Sequence, residues 1–232
     1  MKNDNINTIK TAFIDTLPVL AGYIVLGIGF GILLASKGYT VTWAFFMSLF
    51  IYAGAMQYLT VDMFNTNISL ITVAITTLMV NARHIFYGLS MLEKYKNVGT
   101  KKLYLIFALT DETYSMLCSK PPEANINTRN YYFFVSLFNH IYWIIGSMLG
   151  ALLGTMLSFN FKGVEFALTA LFTTIFVEQW LTCPSRIPAT LGVFLSILCL
   201  LLFGSSSFLI PAMILIVISM LLLYKYDKGA QS

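Results

Sequence analysis

Charge is what this sequence has least of. Only 10% of its 232 residues are charged, where soluble domains carry roughly a quarter, so a water-facing globular fold is excluded. Cysteine is scarce as well. Cys118, Cys183 and Cys199 are odd in number and show no CxxC or Cys/His spacing, which makes them small packing residues and removes the usual basis for a metal site. No HExxH, GxSxG or paired-aspartate pattern is present, so the chain reads as a non-enzyme without a cofactor. Alternating ten-residue strand patterns are missing, which argues against a transmembrane barrel. The polar start with Lys2 and Lys10 is followed by no small-residue cleavage site, so the first apolar run reads as a retained helix and not as a signal peptide.

What the sequence has instead is apolar length. Hydrophobic residues make up 58% of it, and runs near the roughly 20 residues needed to span a bilayer recur almost from end to end. Seven long segments stand out: Ile14 to Ala35, Trp43 to Met63, Ile68 to Leu92, Tyr131 to Leu157, Phe166 to Leu181, Thr190 to Phe203 and Phe208 to Tyr224. In lipid an unpaired backbone group costs several kcal/mol, so these segments must be helices. The expected fold is an all-α polytopic membrane protein, a single transmembrane domain over residues 1–232, in the cytoplasmic membrane. The formal charge of +4 comes from Lys and Arg in short loops, which membrane insertion selects, and calls for no nucleic-acid partner.

An eighth segment, Leu103 to Cys118, is short and carries Asp111 and Glu112 inside it. A charge at the centre of a lone spanning helix costs at least about 2.5 kcal/mol, so this piece is expected to be broken or re-entrant. Loop charges favour the same reading. If it enters and leaves by one face and the N-terminus is outside, Lys37, Lys94, Lys96, Lys101, Lys102, Lys120, Arg129, Arg186, Lys225 and Lys228 fall inside, leaving Lys2, Lys10 and Lys162 outside. Eight full crossings give no such bias.

The chain also repeats itself. Tyr23, Gly27, Gly31, Leu33 and Leu34 recur at identical spacing as Tyr142, Gly146, Gly150, Leu152 and Leu153; Leu49, Phe50, Gln57, Leu59 and Thr60 recur as Leu171, Phe172, Gln179, Leu181 and Thr182. With three crossings and a re-entrant piece between the starts, repeat one (about 14–118) and repeat two (about 131–224) would run in opposite senses, as in many secondary transporters that bind substrate at the interface of inverted repeats.

Polar groups at membrane depth fall into three clusters. YAGAMQ, Tyr52 to Gln57, combines Gly54, small enough for close helix packing, with Gln57, which brings two donors and an acceptor; the repeat places Gln179 beside Glu178. NARHIFYG, Asn81 to Gly88, puts Asn81, His84 and Tyr87 or Gly88 on one helical face and turns Arg83 away from it. Arg83 either snorkels to the water or faces a carboxylate, of the protein or of a substrate. The corresponding place in repeat two is GSSS from Gly204, so both third helices are expected to be interrupted. ALTDETY, Ala108 to Tyr114, places Asp111 and Glu112 on different faces, one free to pair with Arg83; a solvated cytoplasmic helix is the plain alternative. His84 and Glu112 would suit a proton relay if they meet. His140 reads as a hydrogen-bonded core residue.

Standing as YAGAMQ, NARHIFYG and LTDE, these three clusters resemble the AzlC family of branched-chain amino acid permeases, whose pattern includes YAGxxQ, xxRHxxYG and LTDE segments. The resemblance extends from Pro18 to the last helix. It implies a secondary transporter large subunit that exports leucine, isoleucine and valine, with methionine as a further candidate, and that works with a small hydrophobic subunit of the AzlD type. Some family members carry Asp where this chain has Asn81. Bearing on substrate or coupling are then Gln57, Asn81, Arg83, His84, Asp111, Glu112 and Gln179, while Gly54, Gly88 and Gly204 serve helix packing or helix breaks. A membrane scaffold that only stabilises a partner remains the rival reading.

Overall fold

The computed structural model describes residues 2–64, 68–119, 126–156, 185–204 and 208–230, and between 166 and 181 residues 166, 169, 170, 173, 176, 177, 180 and 181. All its regular elements are helical: α1 (Lys2–Ser36), α2 (Val41–Phe50), α3 (Gly54–Met63), α4 (Leu70–Val80), α5 (Arg83–Met91), a 3-10 turn (Gly99–Lys101), α6 (Lys102–Phe107), α7 (Asp111–Ser119), α8 (Thr128–Met156), α9 (Ile187–Phe203) and α10 (Leu209–Ala230). The chain forms two compact units, Met1–Leu168 and Thr169–Ser232. Their boundary falls inside the expected second repeat, so α8 belongs to the first unit.

The spine of the first unit is the pair α1 and α8, each long and apolar enough to cross a membrane. Their contacts climb both helices together: Asn5 with Asn130, Phe13 with Phe138, Thr16 with Tyr142, and Gly154 against Ile32 and Ala35. The two helices therefore run parallel. Glycine sets their separation, since a Cβ on Gly27 would lie 2.9 Å from the backbone of Gly146, and one on Gly31 or Gly150 would overlap the facing main chain. Small residues that let backbones touch are the usual means of helix association in lipid, where no hydrophobic force drives one helix onto another. The end where α1 begins is here the near end, the other the far end.

α1 stops at the far end where Gly38 takes a left-handed conformation (φ 87°), with its own N–H on the carbonyl of Ala35 and that of Tyr39 on Leu34. α2 then descends and α3 climbs back. Tyr39 meets both Trp43, at the start of α2, and Phe64, just past α3, while Lys37 pairs with Asp62. Between them the chain reverses over Ile51–Ala53, and Tyr52 pays for the turn with φ 45°. Trp43 to Met63, expected as one span, is thus a hairpin from the far end. Each arm is ten residues, about 15 Å of helix, or half a bilayer.

The third apolar segment does cross, as α4 and α5, bent by 45° across Asn81–Ala82. It arrives at the near end, where a second hairpin starts. Lys101 at its foot bonds Asn130, Tyr104 reaches His140, and after the tip the chain returns so that the Leu117 carbonyl accepts from Lys94. Ten residues of α8 separate Asn130 from His140, again about 15 Å. The acidic segment is therefore re-entrant, α6 going in and α7 coming out. Leu105, Leu109 and Leu117 bury themselves with Tyr95, Tyr131, Tyr132 and Val135 at its base.

Two expectations are corrected by this topology. Because α2–α3 turns back, α1 and α8 point the same way, and the sequence repeat joining them is not inverted; opposite senses occur instead between α1 with its far-end hairpin and α4–α5 with its near-end hairpin. For the same reason Lys37 lies at the opposite end from Lys94, Lys96, Lys101, Lys102 and Arg129, which share the near end with Lys10. In the second unit, α9 ends at Gly204 (φ 71°) and packs against α10 as a separate helix.

Two outcomes follow. Gly150→Val should cost about 3 kcal/mol or more by forcing two backbones apart, seen as lost thermal stability in detergent, whereas Gly22→Ala, with open space around it, should be neutral. Single cysteines at positions 37 and 62 should be labelled by an impermeant thiol reagent from one side of the membrane, and those at 94 and 130 from the other.

Candidate functional site at the hairpin tips

At mid-depth the first unit gathers four interruptions or helix starts: the α4–α5 bend, the tip Ile51–Ala53, the tip Ala108–Thr110 and the first turn of α7. Each leaves main-chain groups that hydrocarbon cannot satisfy, so side chains supply partners. Thr110 caps α7, its Oγ1 accepting from Thr113 N at 3.3 Å. Asn81 closes α4 by donating from Nδ2 to the Thr77 carbonyl at 3.0 Å, and its own carbonyl accepts from His84 Nδ1 at 3.1 Å.

Arg83 opens α5 and faces Asp111, the first residue of α7; its Nη1 and Asp111 Oδ2 form an ion pair with the two side chains 27% and 25% exposed. The pairing is incomplete. Arg83 Nε and Asp111 Oδ1 are both buried and have no hydrogen-bond partner. Glu112 points the other way, into α1, where its Oε2 accepts from Tyr23 Oη at 2.6 Å. Among the described residues no lysine, arginine or histidine forms an ion pair with it. The two neighbouring carboxylates thus stand in different surroundings, as their places on α7 require.

Around Glu112 the hydroxyls continue. Tyr23 Oη also lies 2.7 Å from Thr110 Oγ1, Thr110 donates to Thr113 at 3.1 Å, and Asn139 of α8 donates to Thr113 at 3.0 Å. Tyr52, at the far-end tip, is 4% exposed and turns its unpartnered hydroxyl toward Tyr23, Thr110 and Glu112. Its ring stacks on His140 at 4.2 Å and lies tilted against Phe107 at 6.3 Å, so the two tips touch through aromatic rings. His140 satisfies both nitrogens: Nε2 donates to the Ser48 carbonyl and Nδ1 accepts from Tyr104, each at 3.1 Å.

Gln57 is not available to a ligand. It is fully buried, accepts from Trp143 Nε1 at 2.9 Å and donates to Ser48 at 3.4 Å, tying the far-end hairpin to α8. Gly54 serves the same contact, with Trp143 packed where its Cβ would be. Gly88 is neither a break nor a close contact: the bend lies at Asn81–Ala82, and Gly88 sits inside α5 with open space beside it. There it helps line a cavity of 390 Å³ with His84, Ile85, Leu92, Tyr95, Lys102, Ile106 and Leu109. No hydrogen bond or ion pair joins His84 to Glu112, so that relay is not formed. Gln179 lies outside the described residues, and Gly204 is in the second unit. Tyr23, Tyr52, Thr110, Thr113 and Asn139 were not singled out by sequence reasoning as site residues, although Tyr52 opens the YAG motif and Tyr23 opens the repeat.

The family model described as "AzlC protein" matches residues 18–157. A Bacillus subtilis (strain 168) protein named "Branched-chain amino acid transport protein AzlC" is 42% identical over 207 residues, 89% of this chain and 82% of that protein. An "Uncharacterized membrane protein" of Helicobacter pylori (strain J99) is 42% identical over 96% of this chain and 98% of its own length. "Inner membrane protein YgaZ" of Escherichia coli (strain K12) is 28% identical over 71% of this chain and 68% of its own length. No solved structure matches the chain.

Gln57→Leu should leave the Trp143 N–H buried without an acceptor, at a cost of about 1–3 kcal/mol. The expected readout is a lowered unfolding temperature in detergent, with the double variant Gln57→Leu/Trp143→Phe, which removes the unmet donor, closer to the parent.

Proposed function

The chain belongs to the AzlC family, and on that premise we propose that it is the large subunit of an ion-coupled secondary transporter exporting leucine, isoleucine and valine, with methionine as a further candidate. Its place in a membrane and a role in transport rather than in enzymatic chemistry follow from the family; substrate, direction and coupling are our reading.

The observation that carries it is the half-finished pair of Arg83 and Asp111. Together they leave one donor, Arg83 Nε, and one acceptor, Asp111 Oδ1, buried and unpartnered at mid-depth. An amino acid carries the complement, a carboxylate to accept and an ammonium to donate. Unmade hydrogen bonds of charged groups are the costly ones, and a zwitterion completes both at once. The cavity beside His84, with its lining of Ile85, Leu92, Ile106 and Leu109, offers an apolar wall for the side chain. Each methylene buried there contributes about 0.8 kcal/mol, so branched-chain substrates are preferred over small ones but poorly told apart from one another.

Alternating access has a natural basis in two hairpins that enter from opposite ends and touch at their tips, each able to uncover the centre to its own side. The lysines at the near end support a cytoplasmic location for that end by the positive-inside rule, with the N-terminus on the same side. A small hydrophobic subunit of the AzlD type is the partner we expect.

Arg83→Ala should lower leucine exchange in liposomes at least about tenfold, because it removes the guanidinium donor offered to the substrate carboxylate, a charged hydrogen bond contributing roughly 1.5–3 kcal/mol, and leaves Asp111 unpaired. The neutral double variant Arg83→Ala/Asp111→Ala should reach the membrane in normal amount and still fail to exchange. Normal exchange by the double variant would make the pair structural, and no flux by the wild-type chain with its partner would make the protein a scaffold.

A further inference from the structure

A second site lies one residue from the first, and the transport reading gives it a task. Glu112 sits where both hairpin tips, α1 and α8 converge. One of its oxygens is engaged by Tyr23 Oη at 2.6 Å, and the carboxylate has no cation in an ion pair with it among the described residues. Near it, on the opposite hairpin, is the Tyr52 hydroxyl, which lies toward Tyr23 and Thr110 on a residue 4% exposed and completes no hydrogen bond. A second buried acceptor, Asn139 Oδ1 on fully buried Asn139, also stands unpartnered at the far side of the Thr110–Thr113 chain. The cluster has acceptors to spare and one anion without a counter-charge.

We propose that Glu112 is the proton-binding site that couples transport to a proton gradient, with Tyr23 and Tyr52 as the hydroxyls that hold its two forms. Resting on the transport reading above, this names the coupling ion. The anionic form accepts from Tyr23. When the carboxylate takes up one proton, the new O–H has Tyr52 Oη as acceptor, and the far-end tip is drawn onto the near-end hairpin; loss of that proton to the other side returns the anion and releases the tip. No heavy-atom bond changes, and one positive charge is carried per carboxyl. Sodium fits less well, because a metal ion needs several oxygen lone pairs converging on one point, whereas Tyr23 directs its hydrogen at the carboxylate. The other titratable groups around the site are Asp111, held by Arg83; Tyr87 near Asp111; Tyr104 behind Tyr52; and His140, whose nitrogens are both bonded. Among the described residues at this centre, Glu112 is the carboxyl with no cation paired to it.

The test uses the full chain, co-expressed with the small subunit and reconstituted into liposomes, with labelled leucine. Wild type should accumulate leucine under an imposed proton gradient and not under a sodium gradient. Glu112→Gln should lose accumulation completely, ending at the external concentration, while still exchanging leucine at a reduced rate; Glu112→Asp, which keeps a titratable carboxyl, should recover accumulation. Independently of transport, acidification should raise a protonated-carboxyl band in the difference infrared spectrum that Glu112→Gln removes and Asp111→Asn keeps. Accumulation by Glu112→Gln equal to wild type, drive by sodium alone, or an unchanged infrared band in Glu112→Gln would each overturn the proposal. Absence of any leucine exchange by wild type would instead reject the transport reading, with the infrared band still deciding whether Glu112 binds the proton.

Discussion

The polar centre around Glu112 depends on how closely α1 and α8 approach. Four glycines, Gly27, Gly31, Gly146 and Gly150, bring the two backbones into contact, and that contact places Tyr23 beside the first turn of α7 and sets Asn139, His140 and Trp143 at the depth where the hairpins end. Lipid gives no hydrophobic reason for two helices to meet, so side-chain volume and interhelical bonds decide the outcome. Thr16 with Tyr142 and Tyr131 with Asp15 supply such bonds below the seam. With a wider gap Tyr23 could not reach Glu112, and the centre would lose the hydroxyl that holds its carboxylate.

A second constraint then shapes the centre. Helices that stop halfway across a bilayer expose backbone donors and acceptors where water cannot answer them, at several kcal/mol each. Such a design persists only where protein answers instead, and here it does: Thr110 for the start of α7, Asn81 for the end of α4, His140 for the Ser48 carbonyl near the end of α2. The strained φ of Tyr52 belongs to the same economy of turns. What it gains is a ring stacked on His140 and a hydroxyl placed at the centre, from a hairpin that enters by the opposite end to the one carrying Glu112.

Much of this is legible in the amino-acid sequence. Charge scarcity and apolar length gave an all-helical membrane chain, and the cost of Asp111 and Glu112 at depth gave a re-entrant acidic segment. The match of the Asn81–Gly88 stretch with GSSS from Gly204 pointed to an interruption in the third segment. The far-end hairpin was not legible, because Trp43 to Met63 has the length and composition of an ordinary span, and two half-helices bury the same apolar side chains as one whole helix. Taken as one span, it reverses the sense of α8 and puts Lys37 at the wrong end. The two lysines of the N-terminus, left outside with Lys162 in that arrangement, carry the difference: with the hairpin in place they join Lys94, Lys96, Lys101, Lys102 and Arg129. Gln57 misled for another reason. A buried amide at a repeated position reads alike whether it binds a ligand or an indole, and only Trp143, distant in sequence, tells them apart.

Adjacent carboxylates usually share one environment and one fate. Here the turn of α7 sends Asp111 toward Arg83 and Glu112 toward Tyr23, so a pair of residues side by side in sequence is divided between two helices and two kinds of partner. The first is paired with a guanidinium; the second is bonded by a tyrosine hydroxyl, a group that can donate to an anion or accept from an acid. One helix start thereby joins a group suited to hold a zwitterion and a group suited to carry a proton, and any movement of the near-end hairpin moves both. On the proposed reading, coupling between solute and ion needs no signal passed through the protein, because both carboxylates stand in the first turn of one helix, α7.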